Sequence, residues 1–355
     1  MSDPIQVLVV DDSAVVRGLL VSALSNVPEI KVVGTAMHGE TALKQLRAQS
    51  VDVVLLDVEM PVMDGLTALP RILAEFPDTR VVMVSSLTQS GAASTVRALA
   101  LGAAACIAKP VTSSVSQTVE KLAAELVPLV KALGRSTVCQ LVPNAPPNSG
   151  RARRLPAARA APDLIVIGSS TGGPNALSSV LTDLTPDVSC PILIVQHMPP
   201  TFTSMLAKHL EKDSGRPCQE AVPGGIVEQG KIYVAPGDFH LAIDRESNQL
   251  VTTLNQGPPQ HFCRPSVNPL FLSAAEHCGN RTLAVMLTGM GDDGIEGTRE
   301  IDRRGGTILI QDEATSVVWG MPGAVARAGL ADEILPLGCI AQALAHYCVP
   351  GRLVR

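Results

Sequence analysis

Aromatic residues are almost missing from this chain: Phe, Tyr and Trp make up 2% of 355 residues. Aromatic-rich cores are thereby excluded, and Val, Leu, Ile and Ala must fill the interior. A basic excess is lacking too. The 28 Lys and Arg stand against 33 Asp and Glu, a formal charge of −5, without the basic footprint of a nucleic-acid binder. Cysteines occur at 106, 139, 190, 218, 263, 278, 339 and 348. No two form a C-x-x-C pair, which removes the usual zinc and redox motifs, and scattered single cysteines fit a reducing cytosol. No apolar run is long enough to span a bilayer. Met1-Ser2-Asp3-Pro4 offers no basic and apolar signal segment. The expectation is a cytoplasmic monomer with no nucleic-acid partner and no direct membrane insertion.

What is present is 46% hydrophobic and 17% charged, the balance of a soluble globular protein. The length suggests two domains, expected at 1–130 and 162–350. Between them, at 131–161, periodicity fades into Pro143, Pro146, Pro147 and Gly150, followed by Arg151, Arg153, Arg154 and Arg159. Such a stretch reads as a solvated tether.

In the first domain, apolar strand-like runs at 6–10, 32–36, 53–56, 81–84 and 104–108 alternate with helix-like stretches at 14–25, 40–47, 66–75, 90–101 and 115–133. The pattern predicts a (βα)5 fold, a parallel sheet covered on both faces. Right-handed crossovers put all strand ends on one edge. There stand Asp11 and Asp12 after the first strand, Asp57 at the third, Ser85 at the fourth and Lys109 after the fifth. Each alone fits a turn, a cap or a solvated charge. Together, three carboxylates repel unless a cation joins them, and hard oxygen ligands suit Mg²⁺. A carboxylate can itself attack phosphorus, with Lys109 neutralising phosphoryl charge and Ser85 donating a hydrogen bond.

The motifs Val10-Asp-Asp-Ser13, Leu55-Leu-Asp-Val-Glu-Met-Pro-Val-Met-Asp-Gly65, Val84-Ser-Ser86 and Lys109-Pro110 resemble a two-component receiver domain. The resemblance implies that Asp57 is the phospho-acceptor, served by a histidine kinase. It also implies that Asp11, Asp12, Asp57 and the backbone carbonyl of Glu59 hold Mg²⁺. Many receivers carry an aromatic switch residue three positions before the lysine. Here Cys106 stands there, so movement of the surrounding helix and strand face must replace ring rotation.

The second domain is organised around Leu164-Ile-Val-Ile-Gly-Ser-Ser-Thr-Gly-Gly173. Four apolar residues read as a buried strand running into G-x-S-x-G, the pattern of a serine on a tight strand-to-helix turn. Gly173-Pro174 then opens a helix. Taken alone, the stretch fits Ser170 as a nucleophile or a loop holding phosphate at a helix N-terminus. Two further apolar runs end in reactive groups. One, from Pro191, ends at His197; the other, from Leu283, ends in Gly289-Met-Gly-Asp-Asp-Gly294. If these strands are neighbours, a serine, a histidine and an aspartate converge. Serine needs a base to take its proton, imidazole titrates near neutrality, and a carboxylate orients the imidazole. The spacing does not choose between Asp292 and Asp293. His240 is a second-rank candidate base, and Arg264 fits either an acidic substrate surface or an ordinary ion pair.

Ile167-Gly-Ser-Ser-Thr-Gly-Gly173, Gln196-His-Met-Pro-Pro200, Val234-Ala-Pro-Gly-Asp-Phe-His240, Arg264-Pro-Ser-Val267, Leu287-Thr-Gly-Met-Gly-Asp-Asp-Gly294 and Trp319-Gly-Met-Pro322 resemble the chemotaxis protein-glutamate methylesterases. The resemblance implies a doubly wound parallel-sheet hydrolase domain with an inserted β-hairpin. It implies Ser170 as nucleophile, His197 as base and Asp293 as orienting acid, with the backbone N–H groups of Thr171 and Met290 as oxyanion donors. It further implies methyl-accepting chemoreceptors as substrates, glutamine deamidation as a second activity, and no cofactor for the hydrolysis. Phosphorylation of Asp57 is expected to lift a restraint that the first domain places on the second. A DNA-binding regulator is disfavoured by the acidic balance. A catalytically silent phosphoryl sink is the other competing class.

Overall fold

The computed structural model describes residues 3–86, 88–110, 115–134 and 161–349. The chain divides into two compact units, Met1–Val138 and Cys139–Arg355, each of which stands on its own core.

The first unit alternates strictly. Its strands are β1 (Ile5–Val10), β2 (Ile30–Ala36), β3 (Val53–Asp57), β4 (Arg80–Ser85) and β5 (Ala105–Ala108). Each is followed by a helix: α1 (Ala14–Leu24), α2 (Gly39–Ala48), α3 (Gly65–Glu75), α4 (Gln89–Ala100) and α5 (Val115–Gly134). The sheet order is β2-β1-β3-β4-β5, with every pairing parallel. Helices on both faces explain why β1 and β3 are nearly continuous apolar runs. Ser13, Asp64 and Thr88 cap α1, α3 and α4 with side-chain oxygens. The expected domain edge at 130 needs correction. Helix α5 runs on to Gly134 because Leu126, Leu129, Val130 and Leu133 keep a buried stripe at helical spacing. The remainder of the expected tether, 135–160, lies outside the described residues.

The second unit begins with β6 (Leu164–Ser169), α6 (Gly173–Thr182), β7 (Ile192–Gln196), α7 (Phe202–Ser214) and the short strands β8 (Cys218–Glu220) and β9 (Ile232–Val234). The inserted antiparallel hairpin follows as β10 (His240–Glu246) and β11 (Gln249–Asn255). The chain then returns through α8 (Val267–Cys278), β12 (Thr282–Met286), α9 (Ile295–Arg303) and β13 (Thr307–Gln311). Helix α10 (Met321–Arg327), β14 (Glu333–Leu335) and α11 (Leu337–Cys348) complete it. The main sheet runs β14-β13-β12-β6-β7-β9-β8, parallel throughout. Strand order therefore runs outward from β6 through β12, β13 and β14 on one side, and through β7 and β9 to β8 at the edge on the other. The carboxyl end of β6 is the switch point where open α/β sheets receive ligands. As the composition requires, the core is largely aliphatic, with Phe202 and Phe271 the largest of its fully buried side chains. No helix among the described residues is long and apolar enough to cross a membrane.

Candidate active site

In the parallel ladder of β6 and β7, Ser169 pairs with Gln196. Ser170 and His197 are thus the next residues on adjacent strands. The His197 N–H donates to the Ser169 carbonyl at 3.1 Å, and the Ser170 N–H donates to the Thr288 carbonyl beyond β12 at 3.0 Å. The turn after Ser170 depends on Gly172, whose φ of 78° lies in the left-handed region. Gly289 lets β12 close in: a Cβ there would stand 2.9 Å from the Ser170 Cβ.

His197 Nε2 lies 2.7 Å from Asp293 Oδ2. This carboxylate is buried and fully engaged. Ser266 Oγ donates to its Oδ1 at 2.6 Å, and the Val267 N–H, in the first turn of α8, donates to Oδ2 at 2.7 Å. Burial alone would favour a neutral Asp293, but His197, Ser266 and the Val267 N–H hold its pKa below the ordinary value. Burial also disfavours a charged His197. Its bonds to Asp293 and Cys263 outweigh that and raise its pKa to about 9. The other ring nitrogen, Nδ1, is 3.4 Å from Cys263 Sγ.

The neighbouring acid is sorted by the same geometry. Asp292 is exposed and bonds His261 Nδ1 at 3.0 Å, so only Asp293 turns inward. His240 is buried, with Nε2 3.0 Å from the Pro258 carbonyl and Nδ1 accepting the Ser266 N–H at 3.2 Å. It buttresses Ser266 through that bond, whereas the His197 ring is held by Asp293 and Cys263. Arg264 pairs with Asp238 and donates to the Gln256 and Gly257 carbonyls, which makes it a brace for the loop. The backbone N–H groups of Thr171 and Met290 donate to no other group of the described chain, and Thr171 directly precedes the turn into α6.

The first unit gathers a second cluster. Oxygen atoms of Asp11, Asp12 and Asp57 lie within 4.8 Å of one another, Asp11 and Asp57 buried and Asp12 exposed. Lys109 Nζ bonds Asp57 Oδ2 at 2.6 Å and lies 3.3 Å from Asp11 Oδ2. That Asp11 oxygen is buried and accepts no hydrogen bond. Burial, with Asp11 adding and Lys109 opposing, lifts the Asp57 pKa to about 6. The Glu59 N–H donates to Asp57 Oδ1 at 3.3 Å. Ser85 Oγ donates to the Gly91 carbonyl in the first turn of α4 at 3.2 Å. Cys106 is half-buried, and burial pushes its thiol up to about 12.

The family pattern described as CheB methylesterase matches residues 165–344, and that of the response regulator receiver domain matches 7–120. The chain belongs to the CheB methylesterase family. It is 45% identical to the protein-glutamate methylesterase/protein-glutamine glutaminase 1 of Rhodospirillum rubrum, over 96% of this chain and 94% of that one. It is 46% identical to the protein-glutamate methylesterase/protein-glutamine glutaminase of Azospirillum brasilense, over 94% and 90% respectively. Among solved structures, the CheB methylesterase catalytic domain of Thermotoga maritima is 40% identical. It covers 52% of this chain and 98% of its own, with a TM-score of 0.51.

Three residues of this CheB-family site escape the sequence reading. Gln196, buried at the end of β7, accepts from Ser169 Oγ at 2.8 Å. It donates through Nε2 to the carbonyls of Ser170 at 2.9 Å and His197 at 3.0 Å. Cys263 meets His197 and Ser266 meets Asp293. A polar Gln closing an otherwise apolar buried strand is the one sequence signal that could have found the first. The other two lie far along the chain from their partners and leave no local trace.

Proposed function

We propose that this chain is a phosphorylation-activated protein-glutamate methylesterase that also deamidates glutamines, acting on the cytoplasmic helices of methyl-accepting chemoreceptors. The observation that carries the reading is the 2.7 Å contact of His197 with buried Asp293, where His197 and Ser170 each follow directly on the paired ends, Gln196 and Ser169, of adjacent strands.

Ser170 Oγ attacks the γ-carbonyl carbon of the glutamyl methyl ester while His197 takes its proton. With Nε2 held by Asp293, Nδ1 is the accepting nitrogen, and it exchanges Cys263 for Ser170 as the substrate seats. The negative oxygen of the tetrahedral intermediate is held by the free N–H groups of Thr171 and Met290. His197 returns the proton to the departing methoxide, methanol leaves, and an acyl-serine remains. Water, deprotonated by His197, then releases the glutamate carboxylate. With a glutamine amide the same sequence releases ammonia. Asp293 stays ionised throughout and stabilises the imidazolium.

Asp57 is the group we assign to accept the phosphoryl group from a histidine kinase, its carboxylate oxygen attacking phosphorus. The three carboxylates, with one buried oxygen left without a donor, fit Mg²⁺, to which the Glu59 carbonyl would add a further ligand. Such an ion would neutralise charge on the phosphoryl oxygens. Lys109 keeps its place beside Asp57, and Ser85 trades the Gly91 carbonyl for a phosphoryl oxygen. That exchange releases one bond to α4 without any aromatic switch at Cys106.

Methanol release from methylated receptor, measured with and without a phosphodonor, tests the reading. Phosphodonor-dependent release is expected from the intact chain and none from Ser170→Ala. Normal phosphorylation of Asp57 with no methanol would leave only a phosphoryl sink.

A further inference from the structure

Residues 260–263 form a tight turn at the edge of the site. The Gln260 N–H donates to the Cys263 carbonyl at 3.1 Å, and the Cys263 N–H donates back at 2.8 Å. The two residues between, His261 and Phe262, have φ values of 48° and 63°, the left-handed pair of a type I′ turn. Asn and Gly suit that turn, and a phenylalanine in it strains the backbone. Both flanks are tied to the site. His261 bonds Asp292 at 3.0 Å and lies 3.4 Å from Glu296, while Cys263 Sγ lies 3.4 Å from His197 Nδ1. At the tip, Phe262 is 103% exposed, whereas Phe202 and Phe271 are fully buried. A chain with five Phe thus holds one completely in solvent, in an unfavourable backbone conformation, one residue from a group that touches the imidazole.

We propose that Phe262 is an apolar anchor for the protein substrate, packing on aliphatic side chains beside the modified glutamate on a receptor helix. The inference rests on the methylesterase reading and deepens it. The reacting ester offers the enzyme little more than a methyl group, so selection of a helix-borne glutamate must come from contacts outside Ser170. A glutamyl side chain inserted toward Ser170 leaves its helix lying over the rim of the site, where Phe262 stands. An aromatic ring supplies large apolar area at small rotamer cost, the usual composition of an energetic centre in a protein interface. Backbone strain maintained at such a position is the pattern of a functional site.

The test compares wild type, Phe262→Gly and Phe262→Leu as full-length chains with a small phosphodonor. Two substrates are used: methylated receptor in membranes, and p-nitrophenyl acetate as a soluble small ester. Glycine suits the positive φ, so F262G keeps or raises the melting temperature. It is expected to lose about tenfold in kcat/KM on receptor, carried by KM and equivalent to about 1.4 kcal/mol. Turnover of the small ester stays at the wild-type level, and F262L loses less on receptor than F262G. Unchanged receptor kinetics, or equal losses on both substrates, would overturn the proposal. So would a gain in rate confined to the unphosphorylated chain, which would mark Phe262 as a contact of the first domain. A shift in molar mass would mark it as a contact between copies. If wild type hydrolyses the small ester but releases no methanol from receptor, the methylesterase reading fails first and the anchor with it.

Discussion

Gln196 Nε2 donates to the Ser170 carbonyl at 2.9 Å from the neighbouring strand. The same amide nitrogen reaches the His197 carbonyl at 3.0 Å, so one buried side chain fixes the spacing of the two strand ends to which the chemistry is assigned. Gln196→Glu keeps the shape but turns the donor into an acceptor facing two carbonyls. Leaving buried polar groups unpaired costs roughly 1–3 kcal/mol, more when charge is involved. The variant is expected to lower both melting temperature and kcat, while Ser169→Ala, which removes only the bond to Gln196 Oε1, loses much less of either. Calorimetry and small-ester kinetics on the two variants check this.

The two adjacent aspartates should behave very differently. Asp293→Asn replaces a carboxylate that holds His197 Nε2 and favours the wrong tautomer. A loss in kcat on the order of 10³–10⁴ is expected, as for comparable triad acids. Asp292 is exposed and its carboxylate pairs with His261, so Asp292→Asn should stay within about twofold on a small ester. Equal effects of the two substitutions would reassign the orienting acid.

His197 carries a pKa raised to about 9 from an ordinary value of 6.5. A general base works unprotonated, so kcat/KM on a small ester is expected to climb with pH toward an inflection near 9. Cys263→Ala removes a contact that supports the charged ring, and the inflection should move to lower pH. The same shift has a sign for stability. Because the folded chain binds this proton more tightly, the stabilisation is complete below 6.5 and disappears as pH rises through about 9. The melting temperature of Ser170→Ala should decline across that window, and the decline should shrink when His197→Ala is added.

Metal and phosphate dependence should be confined to the first unit. Chelation of Mg²⁺ is expected to abolish phosphodonor activation while leaving basal hydrolysis of a small ester intact, since the groups proposed to act on the ester around Ser170 are side chains and backbone N–H donors. Asp57→Asn should remove phosphorylation by intact-mass measurement. Lys109→Ala leaves buried Asp57 and Asp11 without their cation, so phosphorylation should fail there with Mg²⁺ binding still measurable.

Much of this was legible along the chain because it is written in periodicity. Apolar runs alternating with helix-period stretches define β1 to β5 and α1 to α5, and the meeting on one edge of the reactive residues that end β1, β3, β4 and β5 follows from parallel crossovers. Gly168-Ser-Ser-Thr-Gly172 and its following Pro mark a strand-to-helix turn by local backbone chemistry alone. Strands of three residues, such as β8, β9 and β14, are too short to show a period and emerge only when packed. Asp293 was separated from Asp292 by the direction of a glycine-flanked turn, with φ of 85° at Gly291 and 90° at Gly294. Gln196, Cys263 and Ser266 acquired partners only once β6 lay between β7 and β12 and the N-terminus of α8 faced Asp293. Chain order sets which residues can form a strand or a helix. Which buried donor meets which acceptor across dozens of residues is set by sheet order and loop direction, and those exist only in three dimensions.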